Sequence, residues 1–162
     1  MNWKEIAPPT FIYDSKGKWV RNWFSNMVAE DVIIDGVKWN SVENYYQAMK
    51  STDLAIQQLF LNINPSEAKE LGRKVLLRPD WETFKVEVMK KALICKFTDN
   101  INNKARLLQT EDSILVEWNN WGDRFWGVDV RDYNGQNILG KLLMQIRSEI
   151  RKSNYLSYKE KE

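Results

Sequence analysis

Glu43 lies in the segment Ser41-Val42-Glu43-Asn44-Tyr45-Tyr46-Gln47-Ala48. Ser41 is a good N-cap, which puts Glu43 in the first helical turn, where the helix dipole favours a carboxylate. Gln47, four residues on, shares its face. Glu43 then has two readings: an acid–base group, or a side chain that serves the dipole alone. A second segment, Ala68-Lys69-Glu70-Leu71-Gly72-Arg73, sets Lys69 and Arg73 four apart on one helix face. Like charges at that spacing cost about 0.2–0.5 kcal/mol. An anion such as phosphate would turn that cost into binding. Alternatively, Glu70 neutralises the pair on a solvated face. A third stretch runs from Asp123-Arg124-Phe125-Trp126-Gly127 to Asn137-Ile138-Leu139-Gly140-Lys141. Asn137 can cap a helix whose N-terminus would receive an anion, with Lys141 adding charge. Gly140 in the first turn costs about 1 kcal/mol against Ala. Close approach of a ligand, or of another backbone, would explain it.

What is missing narrows the chemistry further. No histidine is present. That excludes Ser-His-Asp and Cys-His catalysis and zinc sites built on histidine. Proton transfer falls to Asp, Glu, Lys or Tyr. The one cysteine, Cys95, rules out an internal disulfide and a multi-cysteine metal site. Its place in a helical pattern reads as a buried, inert thiol. No metal and no cofactor are expected. The eight tryptophans can serve the core or stack on flat ligands. A net charge of +2 gives no broad electrostatic footprint for nucleic acid. The N-terminus lacks an apolar signal segment, and no apolar run nears the roughly 18 residues a membrane span needs. A cytoplasmic protein without membrane contact is expected.

The elements that must position these residues can be read along the chain. Thr10–Tyr13 and the run from Trp19 read as strands. Val32-Ile33-Ile34, Asp35-Gly36 and Val37-Lys38-Trp39 read as a hairpin. Helices follow from Ser41 to about Lys50, and after Thr52 or Asp53. Asn64-Pro65-Ser66-Glu67 starts another, which Gly72 ends or loosens. Asp80 caps a longer helix from Trp81 to about Phe97, and Ile101–Leu108 forms one more. Ile114–Trp118 and Phe125–Val128 read as buried strands. The last helix runs from Ile138 to about Arg151, with a polar, frayed tail over 152–162. The sum is an α+β fold: a mostly helical single domain with a small sheet, spanning 1–162 with its core at about 11–150.

Taken together, carboxylates, cations, aromatic plates and a helix N-terminus suit a phosphorylated ribosyl compound. A base can stack on Trp, a phosphate can meet Lys and Arg, and a carboxylate can stabilise charge developing at the sugar C1.

These motifs, with Phe24-Ser25-Asn26, Gly36–Trp39, Trp81 with Lys85 and Met89, Lys96-Phe97, Leu115-Val116-Glu117 and the run Gly135–Arg147, resemble the YbiA-like, or NADAR, family in order over about residues 11–150. The resemblance implies a YbiA-like fold and an N-glycosidase, a hydrolase of N-glycosyl bonds. Family members cut the ribosylamine bond of early riboflavin-pathway intermediates, and others remove ADP-ribose from guanine. It implies Glu43, Lys69 and Asp123 as catalytic residues. Trp81, Trp126, Arg73, Gly127, Asn137 and Lys141 are the implied substrate contacts. The partner would be a small phosphorylated ribosyl substrate, or ADP-ribosylated guanine in nucleic acid. A binding module for ADP-ribose or NAD is the non-catalytic alternative. The chain departs from the family pattern at Asn44, where His is usual, at Thr110-Glu111-Asp112, where Thr-Gly-Asp is usual, and over 128–133. Two routes fit the implied reaction. In one, Glu43 or Asp123 activates water. In the other, Lys69 displaces the base nitrogen from a ring-opened sugar through a Schiff base.

Overall fold

Asp35 and Gly36 both take positive φ, 52° and 76°. A two-residue hairpin turn of the type I′ kind requires this. β1 (Val32–Ile34) and β2 (Val37–Trp39) therefore pair antiparallel, Val32 opposite Trp39. Val32, Ile34 and Trp39 are buried while Ile33 faces out, the alternation of a half-buried strand. The computed structural model describes residues 3–5 and 24–159; the strands read at Thr10–Tyr13 and from Trp19 lie outside them. Contacts gather into two units: a central one, Trp23–Lys104, and a terminal one, Met1–Asn22 with Ala105–Glu162.

In the central unit, α1 (Val42–Ala48) is buried along its whole length. It packs against α3 (Pro65–Leu71) and α4 (Trp81–Thr98). Ser41 caps α1 as expected, its hydroxyl accepting from the Asn44 N–H. Asn44 is wholly buried and spends its amide on structure. Nδ2 donates to the carbonyls of Phe60 at 2.8 Å and Ile63 at 2.9 Å. This work needs no proton transfer, which accounts for an amide where the family usually has His. Asp53 caps α2 (Leu54–Gln58), and Asn64 with Glu67 closes a full capping box on α3. Asp80 precedes α4 but does not cap it through its side chain. Its carboxylate instead holds the Arg78 guanidinium with two bonds of 2.6 and 3.0 Å. Cys95 is half-buried, less enclosed than expected, and burial raises its thiol pKa.

In the terminal unit, the expected strands shrink to two residues each. β3 (Trp118–Asn119) runs parallel to β4 (Val128–Asp129). Asn137 explains the shortening on one side. Its side chain accepts from the Glu117 N–H at 3.0 Å and donates to the Leu115 carbonyl at 2.9 Å. A side chain thus takes the place of a strand neighbour. On the other side, the Asp123 Oδ1 accepts from the N–H groups of Phe125 and Trp126, at 3.0 and 2.9 Å, which turns that backbone out of extended pairing. α5 (Ile101–Gln109) is followed by Glu111, whose φ is +46°. α6 runs over Ile138–Lys159, so the stretch beyond Lys152 expected to fray continues the helix. Once nucleated, each added residue gains a backbone bond at small entropic cost. Leu139, Leu142, Leu143, Ile146 and Ile150 form its buried stripe. Arg147, also buried, donates to the Thr110 hydroxyl at 2.6 Å and the Ser113 carbonyl at 3.0 Å.

Candidate active site

α1 carries Glu43 and Gln47 four apart on one face, and Lys50 lies in the turn just past its end. Glu43 is 7% exposed and Gln47 5%. The Gln47 Nε2 donates to the Glu43 Oε1 at 2.8 Å. A carboxylate only accepts, so the amide must turn its NH2 toward Glu43. The Gln47 Oε1 then faces away, buried and without a donor among the described residues. Beside it lies Gly72. A Cβ there would stand 1.9 Å from the Gln47 Oε1 and 2.9 Å from its Cβ. Gly72 has φ −65°, open to any residue, so it is needed for space rather than for conformation.

Lys50 reaches the same place. Its Nζ donates to the Gly72 carbonyl at 3.0 Å. Burial lowers its pKa, Glu43 pulls the other way, and Arg73 and Lys69 push it down again. Lys69 is half-buried on α3, and Arg73 is exposed just past its end. Glu43, Lys69 and Arg73 each act electrostatically on Lys50. Sequence reasoning paired Gln47 with Glu43 without giving it a role and passed over Lys50, just past the helix end.

Trp81 differs from the expected open plate. It is 5% exposed, with its ring centroid 5.1 Å from that of Tyr46, a core position.

In the terminal unit, Asp123 is half-buried, and its Oδ1 fixes the turn that presents Trp126. Trp126 is half-buried and meets Phe125 edge-on at 5.0 Å. Gly127 and Gly140 answer to backbone rather than ligand. A Cβ on Gly127 would lie 2.1 Å from the Glu117 carbonyl oxygen, and one on Gly140 2.2 Å from that of Leu115. Asn137 is no anion-binding cap. It is wholly buried, sits at φ +53°, and its side chain clasps the segment around Leu115–Glu117. The first N–H groups of α6 are also taken: Ile138 donates to the Phe125 carbonyl and Leu139 to that of Trp126, at 3.2 and 3.0 Å. Lys141 is exposed on the first turn of α6.

Among the described residues, no group of three or more His, Cys, Asp or Glu could hold a metal ion, and no helix is long and apolar enough to cross a membrane.

The helical α+β fold and the sequence have counterparts among proteins named N-glycosidases. The chain belongs to the NADAR domain family, whose profile matches residues 11–151. It is 41% identical over 134 residues to an N-glycosidase of Nostoc punctiforme, covering 79% of this chain and 85% of that protein. It is 40% identical over 129 residues to the chloroplastic riboflavin biosynthesis protein PYRR of Zea mays, covering 72% of this chain but 20% of that longer protein. The NMR structure of the Escherichia coli protein YbiA superposes with a TM-score of 0.76 at 34% identity, covering 83% of this chain and 80% of that one.

Proposed function

We propose that this protein is an N-glycosidase that hydrolyses the ribose–nitrogen bond of a phosphorylated ribosylamine, an early intermediate of the riboflavin pathway. The observation that carries this reading is the buried carboxylate of Glu43, held by Gln47, with Lys50, Lys69 and Arg73 as neighbouring cations. Three cations against one carboxylate leave an excess of positive charge. A phosphate monoester, about −1.5 to −2 at neutral pH, balances it. Lys69 and Arg73 bind the phosphate, and Glu43 faces the sugar. As the C1–N bond breaks, its electron pair leaves with nitrogen and positive charge develops on the sugar. The Glu43 carboxylate stabilises that charge and takes a proton from the attacking water. Water oxygen bonds to C1, and the products are the sugar phosphate and the free amine. The name of the Nostoc punctiforme relative supports the reaction class, and that of the Zea mays relative the pathway.

The family resemblance carries Asp123 as a further catalytic residue and Trp126 and Lys141 as substrate contacts, each open to its own substitution. The family match, running through both units, supports one functional domain. A small phosphorylated substrate of this kind suits a cytoplasmic setting. Lys69 as Schiff-base nucleophile is the competing route: borohydride added during turnover would trap a sugar on Lys69, and the water route leaves it unmodified.

The test is incubation with ribosylaminopyrimidine 5-phosphate and, separately, with ADP-ribosylated guanosine. Release of ribose 5-phosphate from the first is expected. Cleavage of the second alone would make the enzyme a guanine ADP-ribosyl hydrolase. Binding of either without release would make it a binding module.

A further inference from the structure

We propose that Lys50 is the general acid of this site, delivering the proton that lets the base nitrogen leave. The inference rests on the N-glycosidase reading and adds to it the group that handles the leaving side.

Four observations converge on Lys50. It lies in the turn two residues past the end of α1, its backbone N–H donating to the Gln47 carbonyl at 3.3 Å. Its ammonium is anchored, one N–H donating to the Gly72 carbonyl at 3.0 Å. An ammonium has three such donors, so a single anchor fixes the group and leaves protons to give. It is half-buried, so water does not fully solvate its charge. The groups that set its charge are identified: Glu43 from α1, and Lys69 and Arg73 from α3 and its exit. Arg78 also touches Lys50, but through its backbone N–H, which donates to the Lys50 carbonyl at 2.7 Å, while its guanidinium is held by Asp80.

An amine leaving as an anion is a poor leaving group, so hydrolysis of a ribosylamine needs acid on nitrogen as well as base on water. A free lysine is too weak an acid near neutrality to do this well. Burial and two neighbouring cations make Lys50 a stronger one, the direction general acid catalysis needs. The proton balance closes. Lys50 gives one proton to the departing nitrogen, and Glu43 takes one from water. Transfer from protonated Glu43 to neutral Lys50, directly or through water, restores both for the next turnover. Lys69 and Arg73, left as cations throughout, serve the phosphate.

The test compares the wild type with Lys50→Met and Lys50→Arg on the ribosylaminopyrimidine phosphate, with thermal unfolding as a check on folding. In Lys50→Met, kcat should fall about 100-fold or more, the size of a lost general acid, with a much smaller change in KM. The alkaline fall of the wild-type pH–rate profile should vanish. Lys50→Arg separates charge from acidity. Arginine keeps the cation but does not release a proton in this range, so KM should recover and kcat should not. An added small primary amine should restore part of the rate to Lys50→Ala. If Lys50→Arg regains wild-type kcat, or Lys50→Met keeps the alkaline limb, the proposal is wrong while the N-glycosidase reading stands. A wild type that releases no base from either ribosyl substrate overturns both.

Discussion

The two units use the same residue types in opposite ways. In the central unit, Glu43 and Gln47 stand on a buried helix and bond each other, Lys50 follows just past its end, and Gly72 clears space for Gln47. In the terminal unit, the polar residues that looked equally promising are consumed by backbone. Asn137 replaces a strand partner, Asp123 holds a turn, and Gly127 and Gly140 admit neighbouring carbonyls. A buried polar side chain must satisfy its donors and acceptors. Whether backbone or other side chains satisfy them separates scaffold from candidate chemistry. On that criterion the clearest candidate groups lie in the central unit, and the described polar contacts of the terminal unit go mostly to its own backbone.

The sharpest way to break this comparison is to remove one group from each side. Glu43→Gln keeps the size and the contact with Gln47 but loses the charge. Turnover should fall by about 1,000-fold, within the range expected for loss of an acid–base carboxylate, while thermal unfolding barely moves. Unchanged turnover would take Glu43 out of the reaction. Asn137→Ala should do the reverse. It strands the buried Leu115 carbonyl, at about 1–3 kcal/mol, and the half-buried Glu117 N–H, at less. Urea unfolding should show that loss, and activity per folded molecule should change less than stability does.

Smaller changes sharpen the contrast. Gly72→Ala suits the local backbone but drives its methyl into Gln47. Activity should fall by about tenfold as Glu43 loses its holder, a cost of about 1.4 kcal/mol in the barrier. A full-rate Gly72→Ala would show that Gln47 does not position Glu43. Glu111→Gly should stabilise the terminal unit by about 1 kcal/mol, because a non-glycine side chain at φ +46° is strained. A lower melting temperature in Glu111→Gly would contradict it.

A further test concerns Lys96, which is 3% exposed and donates to the Ser25 carbonyl at 2.8 Å. Burial lowers its pKa to about 8, against a partly opposing pull from Glu30. The folded state therefore binds fewer protons at this group than the unfolded state between about 8 and the ordinary lysine value near 10.4. Stability should rise with pH through that window, the burial penalty being fully present below it. Lys96→Met should flatten this part of the stability–pH curve. An unchanged slope would assign it to other groups.

Much of the central unit was legible because its signals are local. Asp35-Gly36 can take the positive φ values a tight turn requires, and Asn64-Pro65-Ser66-Glu67 carries its own capping geometry. Ser41 and Glu43 needed only helical periodicity to fall where they do. The terminal unit was misread where the partner is distant in sequence. Ile114–Trp118 has the composition of a strand, yet much of it pairs with a side chain from Asn137, twenty-two residues beyond Leu115. In the central unit, the ring contact of Trp81 with Tyr46 is equally non-local. No rule of spacing shows either contact.

By itself, the sequence determined the chemistry available: no histidine, so carboxylates and amines must move the protons, and a helix that presents Glu43 with Gln47. Only the tertiary structure decided which of these groups stay reactive. It brought Gly72 against Gln47 and Lys50 to the Gly72 carbonyl, and it spent Asn137 on the backbone. The physical reason is that type and spacing set what a side chain can bond to. Packing from distant parts of the chain sets what it does bond to.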